Sequence, residues 1–372
     1  MKMAWQEKGF AEVLKFDPRV PLPEAETPPS SWYLSEEFFR LEKEAVFMAN
    51  WVGIGDGSSL QQPGDFITGD VIGEPYVIVN NPDTAPTPRA FFNVCPHKAA
   101  QVATGSGRCE KLVCPYHGWE YGLDGSLTRA TSLQGIKNFK ARDHALRPIQ
   151  IERFGNTLFL NFSNDIPTTL AQIVAPIERA MQTYRLDHTF GDLRLITRRH
   201  YPMYANWKLY IENFNDGDYH IPYLHPSLKD WSYNHTDELQ YYEKLILQLS
   251  QHPAEEEGFG LGGVYSYLYP NTMVGRSGET SHVIIAFPIS PCETIMTIDS
   301  YIHKDMAENA AAVKEALEFI ERLHLEDIMI CESITKGLRS RSYDRGRYAP
   351  AKEKGIHYFH KQLFEDLCRT QG

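Results

Sequence analysis

Hydrophobic and polar positions divide the chain into three textures. From Trp51 to Phe162 the apolar runs are short, as in VIGEPYVIVNN, RAFFNVC and NTLFLNF. They are rich in β-branched and aromatic residues, and Gly, Pro, Asn or Asp bounds them, which predicts an all-β domain. Turn signals such as Asn81-Pro82 and Asp124-Gly125 recur between them. From about Asp165 the pattern alternates. TTLAQIVAPIERAMQTY and NWKLYIENFNDGDYH read as helices. RLITRRHYPM, VYSYLYPNTMVGR, HVIIAFPIS and ETIMTIDSYIHK read as strands. The stretch AENAAAVKEALEFIERLHLEDIMICESITKGLRS is dominated by Ala, Leu, Glu and Lys and predicts one long helix. An antiparallel sheet with a long helix across it is an α+β arrangement. Before Trp51, the Pro-rich run Pro18 to Pro29 predicts an extended arm. Ser35, followed by Glu36 and Glu37, starts a helix that runs to about Asn50. The expected division is 1–50 for the arm and helix, 51–163 for the β domain and 164–372 for the α+β domain.

Length and charge narrow the function. The chain has 372 residues, enough for two domains, and a net charge of −11. An acidic surface argues against nucleic acid and anionic membranes as partners. No apolar run approaches the roughly 18 residues of a membrane span. The N-terminus carries acids and no apolar segment, so neither a signal nor a transit peptide is expected. Six Cys make no disulfide scaffold, so a reducing, cytoplasmic location is expected.

Two motifs carry chemistry. Cys95-Pro96-His97 and Cys114-Pro115-Tyr116-His117 form the pattern C-x-H-x16-C-x2-H inside the β domain. Two thiolates and two imidazoles on two short loops suit a Rieske-type [2Fe-2S] cluster, with Cys on one iron and His on the other. Gly105, Gly107 and the Gly118-Trp119 pair allow backbone N–H groups to approach it. A zinc knuckle is the alternative, but its loops usually open C-x2-C. Cys109 does not fit the ligand spacing and reads as an ordinary free thiol.

The second motif is Tyr219-His220-Ile221-Pro222-Tyr223-Leu224-His225. Two His five apart lie about 140° apart on a regular helix. Pro222 is expected to break the helix near residues 218–222 and let His225 swing toward His220. Asp216, four residues before His220, would lie on the same face. A carboxylate completing a two-His, one-carboxylate triad would bind Fe(II) and leave positions open for O2. Glu326, Asp327 and Glu332 on the long helix are the candidates, and a solvated helix face is the competing reading.

These residues resemble the oxygenase component of Rieske non-haem iron oxygenases over nearly the whole chain. NVCPHKA, VCPYHGWEYGLDGSL, NWKLYIENF, YHIPYLHP, LYPNTM and EDIMICESITKGL are similar to the choline-monooxygenase-like branch, which oxidises quaternary ammonium compounds. So is the tail SYDRGRYAPAKEKGIHYFH. The resemblance implies a Rieske domain followed by a START-like, helix-grip catalytic domain. It implies the mononuclear iron on His220, His225 and Asp327, with Asn213 and Asp216 as further catalytic residues. Asp216 would bridge the iron site to the cluster of a neighbouring subunit in a homotrimer. Aromatic-ring dioxygenases carry Asp where this chain has Gly217, and Asp218 is the fallback. Lys98 stands where the family usually has Arg. A separate reductase of ferredoxin or flavin type, fed by NAD(P)H, would supply electrons. Arg339, Arg341, Arg345 and Arg347 form the densest basic patch for its docking.

A quaternary ammonium substrate needs aromatic faces. Phe214, Tyr219, Tyr223, Trp231, Tyr265, Tyr267 and Tyr269 could supply them. Such a lining also suits an aromatic acid, so hydroxylation or O/N-demethylation of one is the second reading. A START-like binding protein is disfavoured by the presence of His220, His225 and Asp327, and a Rieske ferredoxin by length.

Overall fold

A computed structural model describes residues 4–84, 87–183, 186, 192–228, 236–251 and 262–369. The chain forms two compact units: Asp56–Ile166, and Met1–Gly55 together with Pro167–Gly372. The first 55 residues thus belong to the same unit as the C-terminal half and do not stand apart as an arm.

The chain enters the β unit through β1 (Val52–Asp56). There follow β2 (Asp65–Val71), β3 (Glu74–Val79), β4 (Arg89–Phe92), β5 (Ser106–Arg108), β6 (Leu112–Val113), β7 (Glu120–Tyr121), β8 (Leu127–Arg129), β9 (Pro148–Phe154) and β10 (Thr157–Asn161). Within the unit the main sheet runs β10-β9-β4-β3-β2-β5, and β6-β7-β8 form a small second sheet. Val77, Val79, Phe91, Leu112, Trp119 and Tyr121 share one core, and Cys95 and Cys114 are part of it. The cysteine loops follow β4 and link β6 to β7, so the apolar core anchors both.

The other unit holds a seven-stranded antiparallel sheet in the order β11-β17-β16-β15-β14-β13-β12. Its strands are β11 (Leu193–Met203), β12 (Thr236–Tyr242), β13 (Leu245–Gln251), β14 (Gly262–Leu268), β15 (Thr272–Ser277), β16 (Thr280–Ser290) and β17 (Glu293–His303). Its helices are α1 (Ala4–Val13), α2 (Ser31–Leu34), α3 (Glu36–Glu42), α4 (Leu170–Thr183), α5 (Trp207–Phe214), α6 (Ile221–Leu224), α7 (Ala310–Leu338) and α8 (Lys354–Arg369). Ser35 caps α3 by accepting the Phe38 N–H at 3.2 Å. The helix continues only as a π-turn over Lys43–Phe47.

Long α7 buries His324, Ile328, Cys331, Thr335 and Leu338, a stripe at helical spacing. Its opposite side exposes Leu325, Met329, Ile330 and Ile334. Helix α5 is pinned from behind by Lys208, whose Nζ lies 2.6 Å from Glu42 Oε1 with both side chains wholly buried. Removing one partner would strand a buried charge, at a cost of about 3–5 kcal/mol. Among the described residues no helix is long and apolar enough to cross a membrane.

Candidate metal centres

The two cysteine loops are closed by the same backbone device. Cys95 N–H donates to Ala100 O at 2.8 Å, and Ala99 N–H returns to Cys95 O at 2.9 Å. Cys114 N–H donates to Trp119 O at 2.8 Å, and Gly118 N–H returns to Cys114 O at 3.0 Å. Each turn is made by a left-handed residue, Ala99 at φ 60° and Gly118 at φ 69°. Only Gly adopts that conformation without steric cost, so Ala99 is a strained choice.

The turns bury both thiols and set the His97 and His117 rings with centroids 4.6 Å apart. Trp119 stacks on His97 at 4.6 Å and 3°. Burial holds the Tyr121 phenol far above its ordinary pKa, so its hydroxyl keeps its proton, and it lies 3.0 Å from Cys95 Sγ. His97 Nδ1 is buried without a hydrogen-bond partner among the described residues, which is costly unless a ligand takes it. Two inner thiols and two adjacent imidazoles fit a [2Fe-2S] centre with Cys on one iron and His on the other. Cys109 is a free thiol packed at the edge of the same core.

In the other unit, α5 ends at Phe214, earlier than the sequence pattern predicts. The stop comes from Gly217 at φ 65° and Asp218 at φ 63°, two left-handed residues in succession. A side chain on Gly217 would meet Lys352 O at 2.7 Å, so the chain passes there in direct contact. Pro222 breaks nothing. It lies in the first turn of α6, where its missing N–H is not needed. The i,i+4 helical argument for Asp216 is therefore replaced by a capping one. Asp216 accepts the N–H groups of Tyr219 at 3.1 Å and His220 at 3.0 Å, ahead of α6. It also meets His220 Nδ1 at 2.8 Å. Asp218 points elsewhere and accepts from Gln248 Nε2 at 3.1 Å.

His220, His225 and Asp327 bring one donor atom each to within 4.8 Å of one another. His225 Nε2 lies 3.1 Å, and His220 Nε2 3.8 Å, from Asp327 Oδ1. The Nδ1 atoms are already engaged, His220 by Asp216 and His225 by Glu326 Oε2 at 2.7 Å. A carboxylate on Nδ1–H fixes the tautomer and leaves the Nε2 lone pair for a metal. Asn213 Nδ2 donates to Asp327 Oδ1 at 2.7 Å and orients the third group. Burial opposes charge on the His225 ring, but Asp327 and Glu326 outweigh it and raise its pKa. This set fits the two-His, one-carboxylate pattern of non-haem Fe(II) sites. Glu326 orients a histidine rather than joining the three, and Glu332 accepts from Tyr204 N–H, away from the site.

The sequence reading missed two neighbours. Tyr210 on α5 meets His324 Nδ1 on α7 at 2.7 Å. Each stands three residues before a residue already singled out, Asn213 and Asp327, and that spacing was the available signal. The aromatic candidates also separate. Tyr267 and Tyr269 are core residues packed around Phe359. Tyr219 and Tyr223 are exposed at the surface. Phe214 and Tyr265 are half-buried, and Trp231 lies outside the described residues. The basic patch is halved. Arg345 and Arg347 donate to Lys15 O, Ala25 O and Pro23 O and hold the N-terminal segment, whereas Arg339 and Arg341 stay exposed.

With this geometry in view, residues 50–140 match the Rieske [2Fe-2S] domain family. Residues 190–260 and 235–367 match the ring hydroxylating alpha subunit catalytic domain. The chain belongs to the Rieske non-haem iron oxygenases, as an oxygenase alpha subunit and an oxidoreductase that uses a [2Fe-2S] cluster and a mononuclear iron. It is 34% identical to choline monooxygenase of Arabidopsis thaliana over 95% of this chain and 86% of that one. It is 31% identical to the carnitine monooxygenase oxygenase subunit of Acinetobacter pittii, over 89% and 92%. The quaternary ammonium Rieske monooxygenase CntA bound to L-carnitine superposes with a TM-score of 0.78 at 29% identity, covering 94% and 97%. Naphthalene 1,2-dioxygenase from Rhodococcus, at 16% identity and a TM-score of 0.77, shares the fold.

Proposed function

We propose that the chain is the oxygenase component of a monooxygenase that hydroxylates or N-dealkylates a small quaternary ammonium compound of the choline, betaine or carnitine type. The observation that carries the reaction class is the convergence of His220, His225 and Asp327 with both Nδ1 atoms already held by carboxylates. Likeness to choline and carnitine monooxygenases over nearly the whole chain carries the substrate class. Cys95, Cys114, His97 and His117 hold the cluster, and His220, His225 and Asp327 hold the iron. When bound, the cluster supplies single electrons and the iron activates O2. The residues around them orient and exclude. Asp216 keeps the His220 proton on Nδ1, Glu326 does the same for His225, and Asn213 fixes the Asp327 carboxylate.

The working form is a cytoplasmic homotrimer supplied by a separate NAD(P)H-dependent reductase. No two of the six cysteines pair in a disulfide, which favours a reducing compartment. The exposed apolar side of α7, with Tyr219 and Tyr223 beside His220, is a face that a neighbouring subunit would cover. Asp216 is then the residue that carries contact from His220 to the neighbour's cluster. Arg339 and Arg341 offer the reductase a cationic contact on a chain of net charge −11.

A chemically reduced, metal-loaded sample exposed to O2 tests the reading in a single turnover. Product analysis by mass spectrometry with choline, glycine betaine, carnitine and benzoate-type acids should show oxidation of a quaternary ammonium compound. Oxidation of the aromatic acids alone would replace this reading with the second one.

A further inference from the structure

Helix α7 carries Glu321, His324 and Asp327 at three-residue spacing, and each meets a partner from an element packed against it. Asn213 Nδ2 donates to Asp327 Oδ1 at 2.7 Å. One turn earlier on both helices, the Tyr210 hydroxyl lies 2.7 Å from His324 Nδ1. One turn earlier again on α7, Tyr201 of β11 donates to Glu321 Oε1 at 3.0 Å. Three residues advance a helix by about 4.5 Å, so two rungs of this ladder cover about 9 Å from the iron ligand. The far rung reaches solvent, since the Glu321 side chain is 33% exposed.

The first rung orients a metal ligand. The other two serve no metal, yet both set a phenol against a base. Tyr210 is 2% exposed, and His324 is its only hydrogen-bond partner among the described residues. Burial holds the Tyr210 phenol well above its ordinary pKa and pushes His324 down to about 4. Near pH 7 the phenol is therefore protonated and the ring is neutral, with a lone pair free to take a proton. Glu321 is ion-paired with Arg199, which holds its carboxyl below the usual range and keeps it ionised. The two rungs adjoin: Tyr201, Glu321 and His324 line one small cavity, and Tyr201 is close enough to act on the Tyr210 phenol. A phenol that loses an electron becomes a strong acid. It is oxidised readily only where a base stands within hydrogen-bond reach of its proton, as both bases do here.

We propose that Tyr210 and Tyr201 form a redox relay that carries an oxidising equivalent stranded at the iron site to the surface, with His324 and Glu321 as the paired proton acceptors. Peroxide activated at the iron site when no substrate is present has only the protein to oxidise. Tyr210 gives that oxidant an electron and passes its phenolic proton to His324 Nδ1. Tyr201 then gives an electron to the Tyr210 radical and its proton to Glu321, while His324 returns the first proton to Tyr210. A small thiol in solution reduces the Tyr201 radical as Glu321 returns the second proton. Two passes reduce one hydrogen peroxide to two waters and join two thiols as a disulfide. The relay needs only the iron chemistry of the family and is independent of the substrate class.

The test mixes iron-loaded protein, its cluster left oxidised and therefore silent, with hydrogen peroxide and no organic substrate. Rapid freezing and electron paramagnetic resonance follow. Tyr201→Phe closes the exit, so a radical should accumulate on Tyr210, and its signal should narrow in protein grown on ring-deuterated tyrosine. The unaltered protein should show a weaker, shorter-lived signal that added thiol quenches. Tyr210→Phe should abolish the tyrosyl signal, and peptide mass spectrometry should then find His220 or His225 oxidised at fewer equivalents of peroxide. His324→Leu keeps the phenol but removes its base, and should suppress the signal even if Tyr210→Phe does not fold. Zinc in place of iron should give no radical. Iron content and the Rieske spectrum verify that each variant is intact. A ladder that only staples the helices together gives none of these signals. Absence of a tyrosyl signal in Tyr201→Phe would overturn the inference, as would its persistence in the Tyr201→Phe, Tyr210→Phe double variant. No quaternary ammonium compound is present, so failure here leaves the substrate reading untouched.

Discussion

The two candidate metal centres are built by opposite means. The cluster loops take all four donors from residues 95–117, and main-chain hydrogen bonds close each loop on its own cysteine. The iron triad takes donors from His220 and His225, which flank the short helix α6, and from Asp327 on the long helix α7. Side-chain hydrogen bonds from Asp216, Glu326 and Asn213 hold them. A site shaped by local backbone keeps its geometry when a neighbouring side chain changes. A site assembled across the fold keeps its geometry only as long as the supporting carboxylates and amide remain.

The largest effects should separate the centres cleanly. Cys114→Ser should abolish the visible Rieske spectrum while iron binding at His220 and His225 persists. Asp327→Ala should do the reverse, with no turnover and an unaltered Rieske spectrum. Metal and sulfide analysis with electron paramagnetic resonance reads both, and loss of both centres from either change would show that they are not independent. Next come the supporting carboxylates. Asp216→Asn should leave both centres occupied and the cluster reducible, but slow cluster reoxidation by O2 plus substrate by orders of magnitude. Glu326→Gln should cost about 10–100-fold in iron affinity, since it keeps shape but weakens the hold on His225 Nδ1. Stopped-flow reoxidation and chelator competition measure these, and equal behaviour of the two variants would remove the distinction between bridging and orienting roles.

The smallest effects lie in the backbone. Gly217→Ala forces a side chain onto Lys352 O at a left-handed residue and should lower thermal stability and displace His220. Ala99→Gly relieves a left-handed Ala in the cluster loop and should change stability by under about 1 kcal/mol with the spectrum intact. Thermal unfolding followed at the cluster absorption and in the far ultraviolet compares them.

Legibility in the sequence followed the same divide. The C-x-H and C-x2-H spacings could be read because each loop is a local turn. The long helix was readable because a helix of that length repeats its signal over many turns. Helix α8 went unread although Ile356, Phe359, Leu363 and Leu367 recur at helical spacing and are buried. Its low overall hydrophobicity masked the stripe. Strands β12 and β13 were also missed, since ELQYYEKLILQLSQ carries Glu, Lys and Gln among its apolar residues. The break after Phe214 was assigned to Pro222 because proline is the loudest helix breaker in a sequence. Asp218 in a left-handed conformation has no comparable sequence signal.

The sequence by itself determined the donor types, the two-loop spacing of the cluster motif and the period of each major element, because these depend on residue identity and on neighbours a few positions away. Only the tertiary structure decided that Asp216 and not Asp218 meets His220, and that Glu326 serves His225 while Asp327 joins the triad. It also decided that Arg345 and Arg347 are spent on the N-terminal segment. Adjacent carboxylates on one helix differ by about 100° in direction. Which of them faces a histidine a hundred residues away is set by how α7 lies on the sheet and against α5, and no local pattern encodes that.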